Sequence, residues 1–346
     1  MNSGNFLAIR LWVLAPIHGA LAAFVLSGAA LSSACETFHY CEPAPSSRID
    51  RAPDWLSKTG LFVDVAKRTL ASDVHPYRPE FELWSDGASK RRWVYLPPGE
   101  TIDTHAMDDW RFPVGAKLWK EFSYRGAPVE TRLLQKLGPG ERDWLTISYL
   151  WNDDHSDAHA VPQGVVDARG TPLDVPAAGE CAACHGGRRS FVLGFSALQL
   201  SRAAPDAECV DLTELEAEGR LSDPPGQTFA LGGTLTERSA LGYLHANCGH
   251  CHNQNRPPTE GSRCFDPKSD LDFWLRVEQL DGPERTPTYL SAIGSVIEPG
   301  QPGKSRMIDL VSSRGMFRQM PPLASEQVDD QGVRLLSAWI RELGSQ

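Results

Sequence analysis

The pattern Cys-x-x-Cys-His occurs twice in this chain, as Cys181-Ala-Ala-Cys184-His185 and as Cys248-Gly-His-Cys251-His252. Two thiols at this spacing reach both vinyl groups on one porphyrin edge, and the adjacent imidazole then projects onto the iron from the same side. Taken singly, such a pattern is also a zinc half-site or a redox dithiol, and two Cys-x-x-Cys pairs can share one zinc ion. Here the gap between the pairs is far longer than in compact zinc ribbons. Two complete motifs predict two haem c groups. Cys181, Cys184, Cys248 and Cys251 would carry the thioether bonds, and His185 and His252 would ligate the metal.

The start of the chain predicts export. Arg10 is the only charged side chain among the first 34 residues, and Leu11 to Leu31 is nearly all apolar before Ser32-Ser33-Ala34. This reads as a secretory signal over 1–34 with a small-x-small cleavage site. The alternative is an uncleaved membrane anchor, since the stretch is long enough to span a bilayer. Lipid modification of Cys35 is a further variant, although Ser32 stands where such signals usually carry Leu. The expected location is periplasmic or otherwise extracytoplasmic. There, the four cysteines outside the motifs allow a Cys35–Cys41 and a Cys209–Cys264 bridge. The formal charge of -10 argues against nucleic acid and anionic lipid as partners and suits an acidic redox protein meeting a basic one.

The 346 residues, 41% of them hydrophobic, leave room for two cores. Residues 35–55 read as a tether rich in Pro and Ser. Between about Phe81 and Val175 the signals are those of strands. Leu145, Ile147, Tyr149 and Trp151 alternate with Trp144, Thr146 and Ser148, the period of two of a pleated strand. Arg92–Leu96, Lys117–Tyr124 and Val129–Leu134 also read as extended, separated by Pro and Gly turn material. A helix is expected after the first motif, through Phe191, Leu193, Phe195, Leu198 and Leu200. The predicted architecture is α+β: an antiparallel β-sheet domain over 56–213 carrying one haem, a linker over 214–233, and an all-α domain over 234–346 carrying the second.

In that last part Thr234-Leu-Thr-Glu237 has capping-box spacing, and the helix it opens runs through Leu241 and Leu244 into the second motif. A closing helix is expected from about Glu326 to Leu343, with Val333, Leu336, Ile340 and Leu343 on one stripe. Between them, Met320-Pro321-Pro322 is where a distal thioether ligand to the second iron should lie. The prolines stiffen the loop and lower the entropy lost in holding sulfur on metal. A thioether favours ferrous iron and raises the potential. Met316 is the fallback ligand, and Met307 reads as core.

Residues from about Thr234 to Leu343 resemble a class I cytochrome c. The resemblance implies that the first and last helices cross beside the haem, bringing Leu241 and Leu244 against Leu336 and Ile340. It is poor from Pro257 to Val296. Phe112-Pro-Val-Gly115-Ala-Lys-Leu-Trp-Lys120-Glu121-Phe122 resembles a strand motif of the β-sheet mono-haem cytochromes. That group includes the β form of cytochrome c prime and its hydroxylamine-oxidising, lysine-cross-linked relatives, which leave one iron face open. From Leu56 to Leu343 the chain is similar to a family of bacterial dihaem c-type cytochromes of unassigned function. Its marks here are Leu83-Trp-Ser-Asp-Gly-Ala88, Lys90-Arg-Arg-Trp93, Tyr149-Leu-Trp151-Asn-Asp-Asp154 and both haem motifs.

The sixth ligand of the first haem has no clear candidate. His75, His105, Met107, His155 and His159 are weighed against the commoner fate of surface or core residues. Lys120 shares a strand face with Leu118, Phe122 and Tyr124, so it either reaches a haem edge or snorkels to the surface. His245 and His250 lie near the second motif, as propionate contacts or packing. The expected function is electron transfer with a redox partner protein. The rival is a haem enzyme or gas-binding protein acting at an open first haem, with acid–base help from Asp153, Asp154 and His155 or from Lys120. A third reading is a partner-binding β-domain that only carries the helical module.

Overall fold

The computed structural model describes residues 46–204, 206–256, 269–315 and 318–345. The expected signal, Cys35, Cys41, Cys264 and Met316 lie outside the described residues, and with them both expected disulfides and the fallback ligand. Among the described residues no helix is long and apolar enough to cross a membrane.

After a short helix α1 (Ser46–Ile49), β1 (Phe62–Asp64) and β2 (Thr69–Leu70) form a two-stranded ribbon. A six-stranded antiparallel meander follows in chain order: β3 (Val74–Tyr77), β4 (Ser89–Tyr95), β5 (Lys117–Tyr124), β6 (Ala127–Lys136), β7 (Trp144–Trp151) and β8 (Ala158–Ala160). The alternation read in the sequence sorts these residues onto two faces. On one face Trp93, Trp119, Leu133, Ile147, Tyr149 and Trp151 bury against Leu56, Leu61 and Phe62. Each such side chain contributes roughly 1.5–3 kcal/mol of transfer free energy. On the other, Val94, Leu118 and Trp144 share a core with Phe191, Phe195 and Leu200. The register Val94–Leu118–Leu134–Thr146 is followed on that face by Arg92–Lys120–Arg132–Ser148.

The segment after the first motif departs from expectation. Only α3 (Ala197–Leu200) is helical beyond α2 (Cys181–His185). Gly186-Gly187 and the left-handed Phe191 (φ 61°) and Gly194 (φ 78°) break the helix, although Phe191, Phe195, Leu198 and Leu200 are buried as their polarity demands. Part of the stretch read as a linker is α4 (Leu212–Ala217), capped by the Asp211 carboxylate, which accepts from Glu214 N at 3.0 Å. Its Leu212 and Leu215, with Leu221, bury in the same core as Phe195.

Helices dominate the remainder: α5 (Leu235–Asn247), α6 (Pro287–Ala292), α7 (Arg306–Val311) and α8 (Asp330–Leu343). The capping box at α5 is formed. Thr234 Oγ1 accepts from Glu237 N at 3.2 Å, and Glu237 Oε2 accepts from Thr234 N at 2.9 Å. The last helix begins later than expected because the Asp329 carboxylate caps it, accepting from Gln331 N and Gly332 N at 3.1 and 3.0 Å. Ala240, Leu241 and Leu244 of α5 share one core with Leu336, Trp339 and Ile340 of α8. Gly332 permits this approach, since a Cβ there would stand 2.4 Å from the Tyr243 hydroxyl oxygen.

The chain is thus mixed α/β, an antiparallel sheet followed by helices. The loop after β3 ties the two together. Phe81 lies so close over Gly242 that a Cβ would be 2.1 Å from its ring, and Trp84 N donates to Asn247 Oδ1 at 2.7 Å. Asp86 Oδ1 accepts from Gln327 N at 2.8 Å.

Candidate functional site

The second motif is delivered by the end of α5. Cys248 N still bonds to Leu244 O at 2.8 Å, and Cys251 N and His252 N both turn back to Cys248 O at 3.1 and 2.8 Å. This turn gathers Cys248, Cys251 and His252 on the wall of a pocket with a cavity volume of about 140 Å³. Leu271, Phe273, Val296, Met307 and Leu310 make the lining apolar, and Met320, Pro321 and Pro322 close it from the loop after α7. Met320 N is held by Leu310 O at 3.0 Å. His252 Nδ1 lies 2.9 Å from Ser269 Oγ, which leaves Nε2 as the ring nitrogen that could take a metal. Burial, then His250 and Arg256, lowers the His252 pKa to about 4, so the ring is neutral, as a metal ligand must be. Trp84, from the loop after β3, lines the pocket with its buried Nε1 unpartnered among the described residues. An apolar slot with two thiols and an imidazole on one wall, a thioether on another and a spare donor fits a haem.

The first motif lies on the cationic face of the sheet. Thr146 Oγ1 of β7 donates to Ala178 O at 3.2 Å, just before α2, and Ala182 packs on the adjoining core. His185 Nδ1 is 2.8 Å from Phe191 O. The left-handed conformation of Phe191 aims that carbonyl back at the imidazole, at a backbone cost of about 1–3 kcal/mol. Burial first, then the charge of Lys120, lowers the His185 pKa to about 3. Here too Nε2 is left over.

Across from it stands the row Arg92–Lys120–Arg132. Arg132 Nε pairs with Glu130 Oε2 at 3.0 Å, and Arg92 is 3.6 Å from Glu82. Neighbouring Lys90 donates to Leu83 O and Ser85 Oγ. Half-buried Lys120 has no hydrogen bond or ion pair to any described residue, and burial, then Arg92 and Arg132, holds its pKa well below the ordinary range. Two thiols and an imidazole beside a basic row, in which Arg92 and Arg132 have carboxylate partners and Lys120 has none among the described residues, also fit a haem, whose propionates or anionic ligand could answer Lys120.

The remaining candidates go elsewhere. Asp154 caps Ser156 in an exposed turn, Asp153 pairs with Arg169 at 3.2 Å, and His155 lies 3.4 Å from the same arginine. His159 meets Trp55 edge-on at 6.1 Å, His75 and His105 are exposed, and Met107 packs at the edge of the core around Phe195. His245 is core: its Nδ1 accepts from Leu275 N at 3.1 Å, and its ring lies 4.3 Å from that of Trp274. His250 lines the second pocket.

Three residues that sequence reading passed over join the two motifs: Gly187, Arg188 and Asn253. The signal was the Gly186-Gly187 pair directly after His185, a mark of close backbone approach.

Compared with family models, curated proteins and solved structures, the chain matches none. Among the described residues no three His, Cys, Asp or Glu side chains are grouped to hold a bare metal ion.

Proposed function

We propose that the protein is an exported dihaem c-type cytochrome that moves electrons through two covalently bound haems, as its resemblance to the bacterial dihaem family implies. The observation that carries this reading is the second pocket, where Cys248, Cys251, His252 and Met320 border one apolar slot. Bound haem would supply a one-electron iron couple at each motif. Cys181 and Cys184, and Cys248 and Cys251, would hold the two porphyrins. His185 and His252 would present Nε2, their Nδ1 atoms being fixed by Phe191 O and Ser269 Oγ. Met320 would complete the second site. The crossing of α5 and α8 beside that pocket supports a class I cytochrome c arrangement for 234–346.

A haem-stained denaturing gel, the intact mass and a redox titration with spectra at each potential test the proposal. Two haems per chain that both cycle reversibly are expected. Fewer than two, or an iron that does not cycle, removes it.

The first site favours a second reading, an open haem that binds a small ligand. The charges of Lys120 and Arg132 act on His185, and His75, His105, His155 and His159, the histidines weighed as its sixth ligand, lie elsewhere. Carbon monoxide added to the reduced protein should then bind at one haem only. Two low-spin centres that ignore carbon monoxide would rule this out.

A further inference from the structure

We propose that the two cysteine motifs form one fixed junction, with Arg188 as its positioning residue, so that both haems exchange electrons directly inside a single chain. The inference rests on the dihaem reading above and adds a route to it.

The contact is backbone on backbone. A Cβ on Gly187 would stand 1.8 Å from the carbonyl oxygen of His250, which sits between the two cysteines of the second motif. No side-chain rotation relieves such a contact, so only glycine permits it. Asn253 then staples the turns together. Its Nδ2 donates to Gly249 O at 2.9 Å and to Gly187 O at 3.3 Å, while its Oδ1 accepts from Arg188 Nη1 at 3.2 Å.

Arg188, 1% exposed, is the centre of the staple. It donates to Asp108 O at 3.2 Å, pairs with Asp109 at 3.4 Å and lies 3.9 Å over the Trp274 ring. Asp109 also accepts from Ser190 N at 2.8 Å, and Asp108 Oδ1 accepts from Val277 N at 3.1 Å. One guanidinium thereby fixes the first motif, the loop before Trp110 and the second motif in a single arrangement. A buried arginine with a planar fork suits this task because each donor direction is preset.

The junction brings the two thioether-bearing turns together. Cys184, which would carry a thioether of the first haem, lines the same pocket as Cys248, Cys251 and His252. Tunnelling falls exponentially with edge separation, so neighbouring thioether edges make the intramolecular route dominant. One electron would leave the ferrous iron of the first haem and reduce the ferric iron of the second. No bond forms or breaks and no proton moves. A one-electron donor protein would replenish the first haem, and a one-electron acceptor protein would drain the second, whose potential Met320 ligation would raise.

The test uses the full-length protein carrying both haems. In the wild type, electron paramagnetic resonance of the oxidised form should show spin–spin broadening between the irons. After a reducing flash, redistribution between the haems should be first-order and independent of protein concentration. Arg188→Gln should keep both haems and the Met320-type spectrum while slowing redistribution at least tenfold, and Arg188→Lys should recover part of the rate. Gly187→Ala attacks the junction from the other side and should narrow the resonance lines. Two reversible haems with no magnetic interaction and concentration-dependent exchange would overturn the junction and leave the dihaem reading standing. A protein with fewer than two haems would remove both.

Discussion

The two motifs share a spacing and differ in almost everything around it. The second is enclosed by helices in an apolar pocket that offers a thioether, whereas the first lies against a sheet face carrying Arg92, Lys120 and Arg132. Apolar walls with a sulfur donor favour the reduced state of an iron and exclude ligands. A basic row whose central Lys120 has no ionic partner among the described residues, with no soft donor among them, invites an anion or a small molecule. With the proposed haems bound, one chain would hold a site suited to passing electrons beside one whose chemistry is less restricted.

Removing the thiols should separate the sites most sharply. Cys181→Ser/Cys184→Ser and Cys248→Ser/Cys251→Ser should each cost one haem by mass. Only the second pair should also collapse the helical core, because it empties the pocket behind α5. That loss should reach or pass the ~5 kcal/mol upper end of large-to-small core changes, measured by chemical denaturation. Next, Trp119→Ala and Trp339→Ala should each cost about 3–5 kcal/mol. Trp339→Ala should perturb the second haem's spectrum, since it shares a core with Leu244 and Met307. Trp119→Ala, on the sheet face away from the first motif, should leave both spectra intact.

Met320→Ala should lower the potential of one haem on the order of 100 mV, well inside the roughly 0.8 V that axial ligands span, and leave the other unmoved. A titration showing both potentials shifted together would erase the distinction between the sites.

The smallest effect concerns pH. Burial, then Arg188 and His250, lowers the His245 pKa from 6.5 to about 3. The folded state therefore binds this proton less readily than the unfolded chain. Above pH 6.5 the group leaves stability unchanged, and below it stability falls as the unfolded chain takes up the proton, by about 2 kcal/mol at pH 5. His245→Asn keeps an acceptor for Leu275 N but does not titrate. Denaturation midpoints of the variant between pH 6.5 and 5 should lose most of this slope.

Much of this was legible in the sequence. β5 and β7 match the predicted spans because an aromatic-rich period of two admits no helix. The start of α5 could be read from Thr234 and Glu237 alone. The stretch after His185 was misread because its apolar residues suit a helix, and nothing local reveals that Phe191 turns left-handed to reach His185. The start of α8 was placed too early because Asp329 is a better cap than Glu326. At the sites, cysteines, histidines and Met320 carry their spacing with them. Arg188 does not, since beside Arg189 it reads as one of two solvated charges until Asp109, Asn253 and Trp274 surround it.

The Leu83-Trp-Ser-Asp loop has a wider consequence. Its Trp84 and Asp86, together with Phe81 just before it, grip Asn247, Gly242 and Gln327, all of them far along the chain. Sheet and helices are therefore not interchangeable cartridges. Excising the helical half would strip Trp84 from its pocket wall and bare the surface beneath Phe81. A recombinant fragment ending in the acidic stretch near Glu216 would be sticky and short-lived, and grafting the helical half onto another carrier would require bringing that loop along.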